Sequence, residues 1–219
     1  MVSETVLYWG GDSMTLTKIL FLTAFVGHLL CWRCDWIITY TPKGRFQVKD
    51  IQDNQRMAEL FDGMPLKNPL ISMLLGVIAL TMIFFGYLGL YEWMKEFSAV
   101  YAGIIIATAI IYLISGTAHH ILCGVVEWFY IRLGRTEEAR QTILEFFKKT
   151  SATMYIYLIG MLIFSVAFLI TVVTGQTNLP RWSCIFNVLP LFLILSPFKV
   201  AGAGNLAGAV MFLGLFILV

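Results

Sequence analysis

Two groups of ionisable and nucleophilic side chains sit inside apolar stretches of this chain. His28, Cys31 and Asp35 are spaced i, i+3, i+7; Ser115, His119, Cys123 and Glu127 follow i, i+4 steps, with His120 beside His119. On an α-helix either spacing lines its members along one face. A carboxylate that meets an imidazole fixes its tautomer and prepares it to take a proton, which is what general acid–base chemistry requires. The expected catalytic set is Asp35 with His119, supported by His120 and Ser115; the expected ligand-binding set is His28, Cys31 and Glu127. The same residue types are compatible with two other chemistries. His119 and Cys123 lie one helical turn apart and, with Cys31 and Cys34, offer four ligands to a metal. Cys31-Trp32-Arg33-Cys34 also has the spacing of a dithiol redox pair. The structural alternative is a hydrogen bond that orients two helices, worth about 1 kcal/mol.

What must position these residues follows from composition. Of 219 residues, 59% are hydrophobic and 13% charged, against about 25% charged in a soluble domain. A water-soluble globule cannot hide that much apolar surface, whereas a bilayer gives it an apolar exterior. Crossing about 30 Å of hydrocarbon takes roughly 20 apolar residues per helix. Segments of this kind run over about 16–40, 69–93, 98–133, 152–173, 182–196 and 205–219. The expected fold is all-α: one domain over 1–219, a polytopic membrane bundle of six transmembrane helices. The third segment is too long for one perpendicular crossing and too short for two with a turn. It is read as one helix that crosses and then projects, with Gly116 as the point where it can kink.

Basic residues orient the bundle. Lys43, Arg45, Lys49, Arg56 and Lys67 fall between the first two segments, Arg132, Arg135, Arg140, Lys148 and Lys149 between the third and fourth, and Lys199 between the last two. The alternate loops hold Lys95 and Arg181, with Lys18 at the start of the first segment. Six crossings with both termini outside place every basic cluster in the cytoplasm. Residues 1–16 carry Glu4 and Asp12 and no base, the reverse of a cleavable signal, so the first segment is expected to remain as an anchor. At 1.5 Å per residue, Asp35 and His119 both lie roughly 30 Å down their helices, near the cytoplasmic edge of the hydrocarbon, and His28 lies about 10 Å higher.

Residues 136–149 read as an amphipathic helix, N-capped by Thr136, with Glu137 and Glu138 in its first turn and Lys148 and Lys149 in its last. Its face of Ile143, Leu144, Phe146 and Phe147 either lies on the membrane surface or packs on the bundle. The polar loop 41–67 is expected to hold a short helix around 50–61. Gly204-x-x-x-Gly208 allows close helix packing. No internal repeat points to an inverted-repeat transporter. The partner expected is the lipid bilayer, with a small or lipid-like molecule bound or processed in a polar pocket near the inner leaflet. A net charge of +2 gives no argument for nucleic acid, and none is expected as a partner. No cofactor and no oligomeric state follow from the residues. The competing class is a solute permeability unit or a scaffold. Val219 ends the chain inside an apolar run, as a trimmed end would.

Three resemblances attach to these residues. Ser115-x-x-x-His119 is similar to the Ser-x-x-x-His of the ceramidase and adiponectin-receptor type of membrane hydrolase, whose other ligands include an Asp and a later His-x-x-x-His; no histidine follows His120, so that zinc site is incomplete here. Cys31/Cys34 resembles the helix-borne pair of quinone-linked disulfide-forming proteins, which need a second pair on the outer side, where only Cys184 is expected. Over more of the chain, Asp35 with Tyr40-Thr41-Pro42, Ala118-His119, and Ala203-Gly204-Asn205-Leu206 resemble a bacterial membrane family of unknown function. That resemblance implies a multi-pass protein of the bacterial cytoplasmic membrane and carries no activity.

Overall fold

Backbone amides in hydrocarbon must be satisfied within their own segment, which makes the helix the solution for a long apolar run. The computed structural model describes residues 13–219, so Glu4 and Asp12 lie outside the described residues. In chain order its helices are α1 (Ser13–Thr39), α2 (Asn54–Leu60), α3 (Lys67–Lys95), α4 (Ala99–Arg132), α5 (Glu137–Thr150), α6 (Ala152–Val173), α7 (Val188–Leu195) and α8 (Ala203–Leu218). Short 3-10 turns occupy Val48–Gln52, Arg181–Phe186 and Ser196–Phe198, and strands β1 (Tyr40–Thr41) and β2 (Gly44–Arg45) form a small antiparallel hairpin. Four helices, α1, α3, α4 and α6, are long and apolar enough to cross a membrane.

The helices pack as a bundle. α3 lies against both α1 and α4, α6 against α4, and α8 against α1. Small residues set the spacing: a Cβ on Gly160 of α6 would come within 2.9 Å of the Tyr112 backbone nitrogen on α4. The core between them is aromatic, with Tyr87 meeting Phe164, Phe212 and Tyr112 edge-on.

α4 has 34 residues, about 50 Å of helix and well beyond the roughly 30 Å of hydrocarbon. Its last turns carry Val126 and Tyr130 into a second core with Ile51, Met57, Leu60, Phe61, Met64, Ala139 and Ile143. This core forms a cap at the end of the bundle where α1 ends. Gly134, at φ 82°, stops α4: its N–H donates to Ile131 O and that of Arg135 to Tyr130 O, a Schellman closure. Arg135 and Arg140 then tie α5 to the cap, donating to Phe61 O at 2.9 Å and Ile51 O at 3.0 Å. Of the two readings of α5, Ile143 is buried in the cap while Phe146 stays exposed beside Phe129 and Leu133.

Two expectations are corrected. The single helix over 182–196 is broken, because Asn187 turns its side chain out of the helix path, donating to Ser165 O and accepting from Leu189 N–H as the cap of α7. The helix around 50–61 is split by Asp53, which caps α2 by accepting from Arg56 N–H. α4 stays helical through Gly116, where the missing Cβ admits the ring of Tyr157.

Candidate functional site

Asp35, near the end of α1, is held by groups from two other helices. Its Oδ2 accepts from Asn205 Nδ2 of α8 at 2.8 Å, and its Oδ1 stands 3.5 Å from His120 Nδ1 of α4. Gly202 precedes α8 as its N-cap residue; its φ of 65° suits glycine, and a Cβ there would lie 2.6 Å from Asp35 Oδ2 and 2.9 Å from Trp32 Cδ1. The amide oxygen of Asn205 stands 3.2 Å from His28 Nδ1. His28 is buried against Gly208 and stacked on Phe212, and its Nε2 has no hydrogen-bond partner among the described residues.

The other ring nitrogen of His120 determines the state of the pair. Nε2 lies 3.0 Å from the Ser72 carbonyl and 3.4 Å from Ser72 Oγ. That hydroxyl donates its own proton to Cys34 O, so both neighbours of Nε2 are acceptors and Nε2 carries a hydrogen. Nδ1 therefore points at the Asp35 carboxyl. A bare lone pair against a carboxylate is repulsive, and a cation between them, in the simplest case a shared proton, would relieve it. The imidazole reaches this position because it lies over Gly76 of α3, where a Cβ would overlap the ring.

The pair forms part of the wall of a cavity of about 220 Å³, lined also by Cys31, His119, Cys123 and Tyr157. A second cavity of about 170 Å³ adjoins it, lined by apolar side chains such as Phe46, Val126 and Phe147 together with Glu127. Ile38 and Cys123 line both.

The structure thus brings Asp35, His119, His120 and Cys31 onto one cavity and leaves others aside. The carboxylate's partner is His120 rather than His119, because neighbouring helical residues point about 100° apart. His119 turns to Thr153 Oγ1 at 3.3 Å and stands 3.6 Å from Cys123 Sγ. Ser115, whose spacing suggested a hydrolase, gives its hydroxyl to Ile111 O on its own helix. Among the described residues, His28 is linked to the site through Asn205. Glu127 is buried in the second cavity, with Oε2 unpartnered among the described residues. Cys31 and Cys34 are free thiols, and Cys34 is fully buried outside the cavity lining. Residue spacing did not single out Asn205, Ser72 or Tyr157 as site residues. The available signal was polarity or small size at packing positions: Asn205 inside a Gly/Ala run, and Ser72 one turn before Gly76.

Outside the bundle, hydrogen bonds from Arg140 and then Gln141 hold the Glu137 carboxyl down at about 2.

No curated protein matches the chain, and no solved structure does. A family model matches residues 12–219, and the chain accordingly belongs to that family, described as a family of unknown function (DUF6796).

Proposed function

We propose that this is a multi-pass protein of the cell membrane, crossing it six times, that binds and processes a small amphiphile with its polar head at Asp35 and His120. The carrying observation is that the Asp35–His120 pair lies on the wall of one cavity that shares Ile38 and Cys123 with a second, apolar one. Each cavity alone is smaller than the roughly 300–1,000 Å³ of ordinary ligand sites, and together they fall in that range. A polar head fits the first and an apolar tail the second. The shared proton of the pair supplies acid–base chemistry at the head.

Six crossings are supported by where the chain returns. α6 leads to the end that holds Arg181, yet Gly202 lies beside Asp35, close to the cap. Residues between them must therefore come back through the depth of the bundle, with Asn187 bonded to Ser165 on the way. α8 then runs outward again, its Gly214 against Phe186.

The test is native mass spectrometry of the detergent-purified chain. An amphiphile adduct is expected on the wild type and should be lost in Cys123→Phe, which fills the common wall. An adduct that survives Cys123→Phe, or a wild type carrying none, would reject the reading. A second reading has its own observation: the chain His28–Asn205–Asp35–His120–Ser72 fastens α8, α1, α4 and α3 together. Were fastening its whole role, His120→Gln would lower the melting temperature and leave adduct binding unchanged.

A further inference from the structure

We infer that Cys31, Asp35 and His120 hold a zinc-type divalent cation, with an open coordination position facing the cavity. The inference deepens the amphiphile reading and rests on it only for what occupies that open position.

One ligand atom from each of the three residues lies within 4.8 Å of the other two, and the Nδ1–Oδ1 pair is at 3.5 Å. Donors on a tetrahedral zinc stand roughly 3.3–3.8 Å apart, given metal–ligand distances of about 2.0–2.3 Å. The nitrogen and oxygen already have that spacing, and a small movement of the Cys31 side chain supplies the sulfur. All three residues line the cavity, so the fourth position opens into it. Three protein ligands with one open position is the arrangement of catalytic zinc.

The surroundings of each ligand suit a metal. A metal-bound histidine uses its second nitrogen to donate to a carbonyl or carboxylate, which fixes the tautomer. His120 Nε2 does this to Ser72 O, which leaves the Nδ1 lone pair aimed at the carboxylate. Asn205 holds the other carboxylate oxygen at 2.8 Å and so orients Asp35. Charge also balances. A thiolate and a carboxylate with a neutral imidazole cancel a divalent cation, so the loaded site adds no net charge to the buried interior. On binding, the thiol proton and the proton between Asp35 and His120 leave to solvent. Mixed sulfur, nitrogen and oxygen donors favour zinc over the harder magnesium and calcium.

The experiment uses the full chain in detergent, stripped with a chelator and reloaded with Zn(II) or Co(II) alone. Expected are one metal per chain after desalting and a thiolate-to-Co(II) charge-transfer band. Cys31→Ser should remove that band and keep the protein folded, since the two side chains are nearly the same size. Asp35→Asn and His120→Gln should each weaken Zn(II) binding at least tenfold, and Asn205→Leu about 10–100-fold. Metal lost from the wild type on desalting would overturn the inference, as would a stoichiometric metal unchanged in Cys31→Ser and His120→Gln. The two readings fail separately: an amphiphile adduct without metal leaves the cavity reading and removes this one, and metal without an adduct does the reverse.

Discussion

At the scale of single residues, the site depends on a choice between two adjacent histidines. Periodicity puts His119 on the face that carries Ser115 and Cys123 and His120 about 100° round the helix, and nothing within α4 says which of the two meets Asp35. The choice is made by α3, where Gly76 leaves room for the imidazole and the Ser72 carbonyl takes its Nε2 hydrogen. Those positions lie more than forty residues away in the chain, so local spacing cannot report them. Gly202 supports a test of how tightly Asp35 is held. Gly63 and Gly202 both have left-handed backbone, at φ 72° and 65°, but a Cβ on Gly63 meets nothing within 4 Å. Gly63→Ala should therefore lose only the backbone term, about 1–2 kcal/mol. Gly202→Ala should lose that and more, because its methyl would meet Asp35 and Trp32. Thermal unfolding of the two variants in one detergent checks this, and equal losses would show that Asp35 is not closely packed against α8.

At the scale of elements, helix ends were more legible than helix breaks. Gly134 and Gly175 each follow an apolar run and close it in the left-handed conformation, a stop signal that glycine carries in the sequence. The break at Asn187 is different. The run 182–196 is apolar enough to read as one helix, but Asn187 bonds Ser165 O and caps α7 through Leu189 N–H, and Pro190 has no N–H to carry a helix on from Phe186. Likewise, the apolar face of α5 is equally suited to lipid or to protein until the cap is built. That docking is titratable. Arg140 donates to Ile51 O of the cap and is held in place by Glu137, whose Oε2 accepts from its Nε at 2.8 Å. The Glu137 carboxyl is lowered from 4.5 to about 2, so the charged form is favoured in the folded chain. Its contribution is complete above 4.5 and is lost as pH falls from there through about 2. Glu137 is exposed, so the effect is small and salt-sensitive. Amide exchange of α5 should be faster in Glu137→Gln than in the wild type at neutral pH, and the difference should vanish as pH approaches 2. A difference independent of pH would detach Glu137 from the docking of α5.

At the scale of the whole molecule, the membrane class was legible because it is a sum over composition, insensitive to which residues touch. The cap was not, since it joins residues 46–64 to 126–143 across the chain. Crossing number falls between these cases. Four helices are long enough to cross, while α7 has 8 residues and α8 has 16, about 12 Å and 24 Å of helix. Two topologies share these elements. In one, α7 with its flanking turns and α8 are a fifth and a sixth crossing. In the other they are a re-entrant pair that enters and leaves by the Arg181 end, a form tolerated where irregular backbone is buried in protein. Both leave the C-terminus on the same side, so locating Val219 cannot separate them. Lys199 can. It is exposed, lies in the turn between the two segments, and is three residues from Gly202 at the level of Asp35. If the chain crosses fully, Lys199→Cys should react with a membrane-impermeant maleimide only after the cytoplasmic side is opened, as Lys49→Cys and Lys148→Cys should, while Lys95→Cys reacts in intact cells. Lys199→Cys that stays unlabelled on both sides, or labels from outside, would mean four crossings and a re-entrant pair. It would also place the Asp35–His120 cavity deeper in the hydrocarbon, out of reach of a ligand from the inner leaflet.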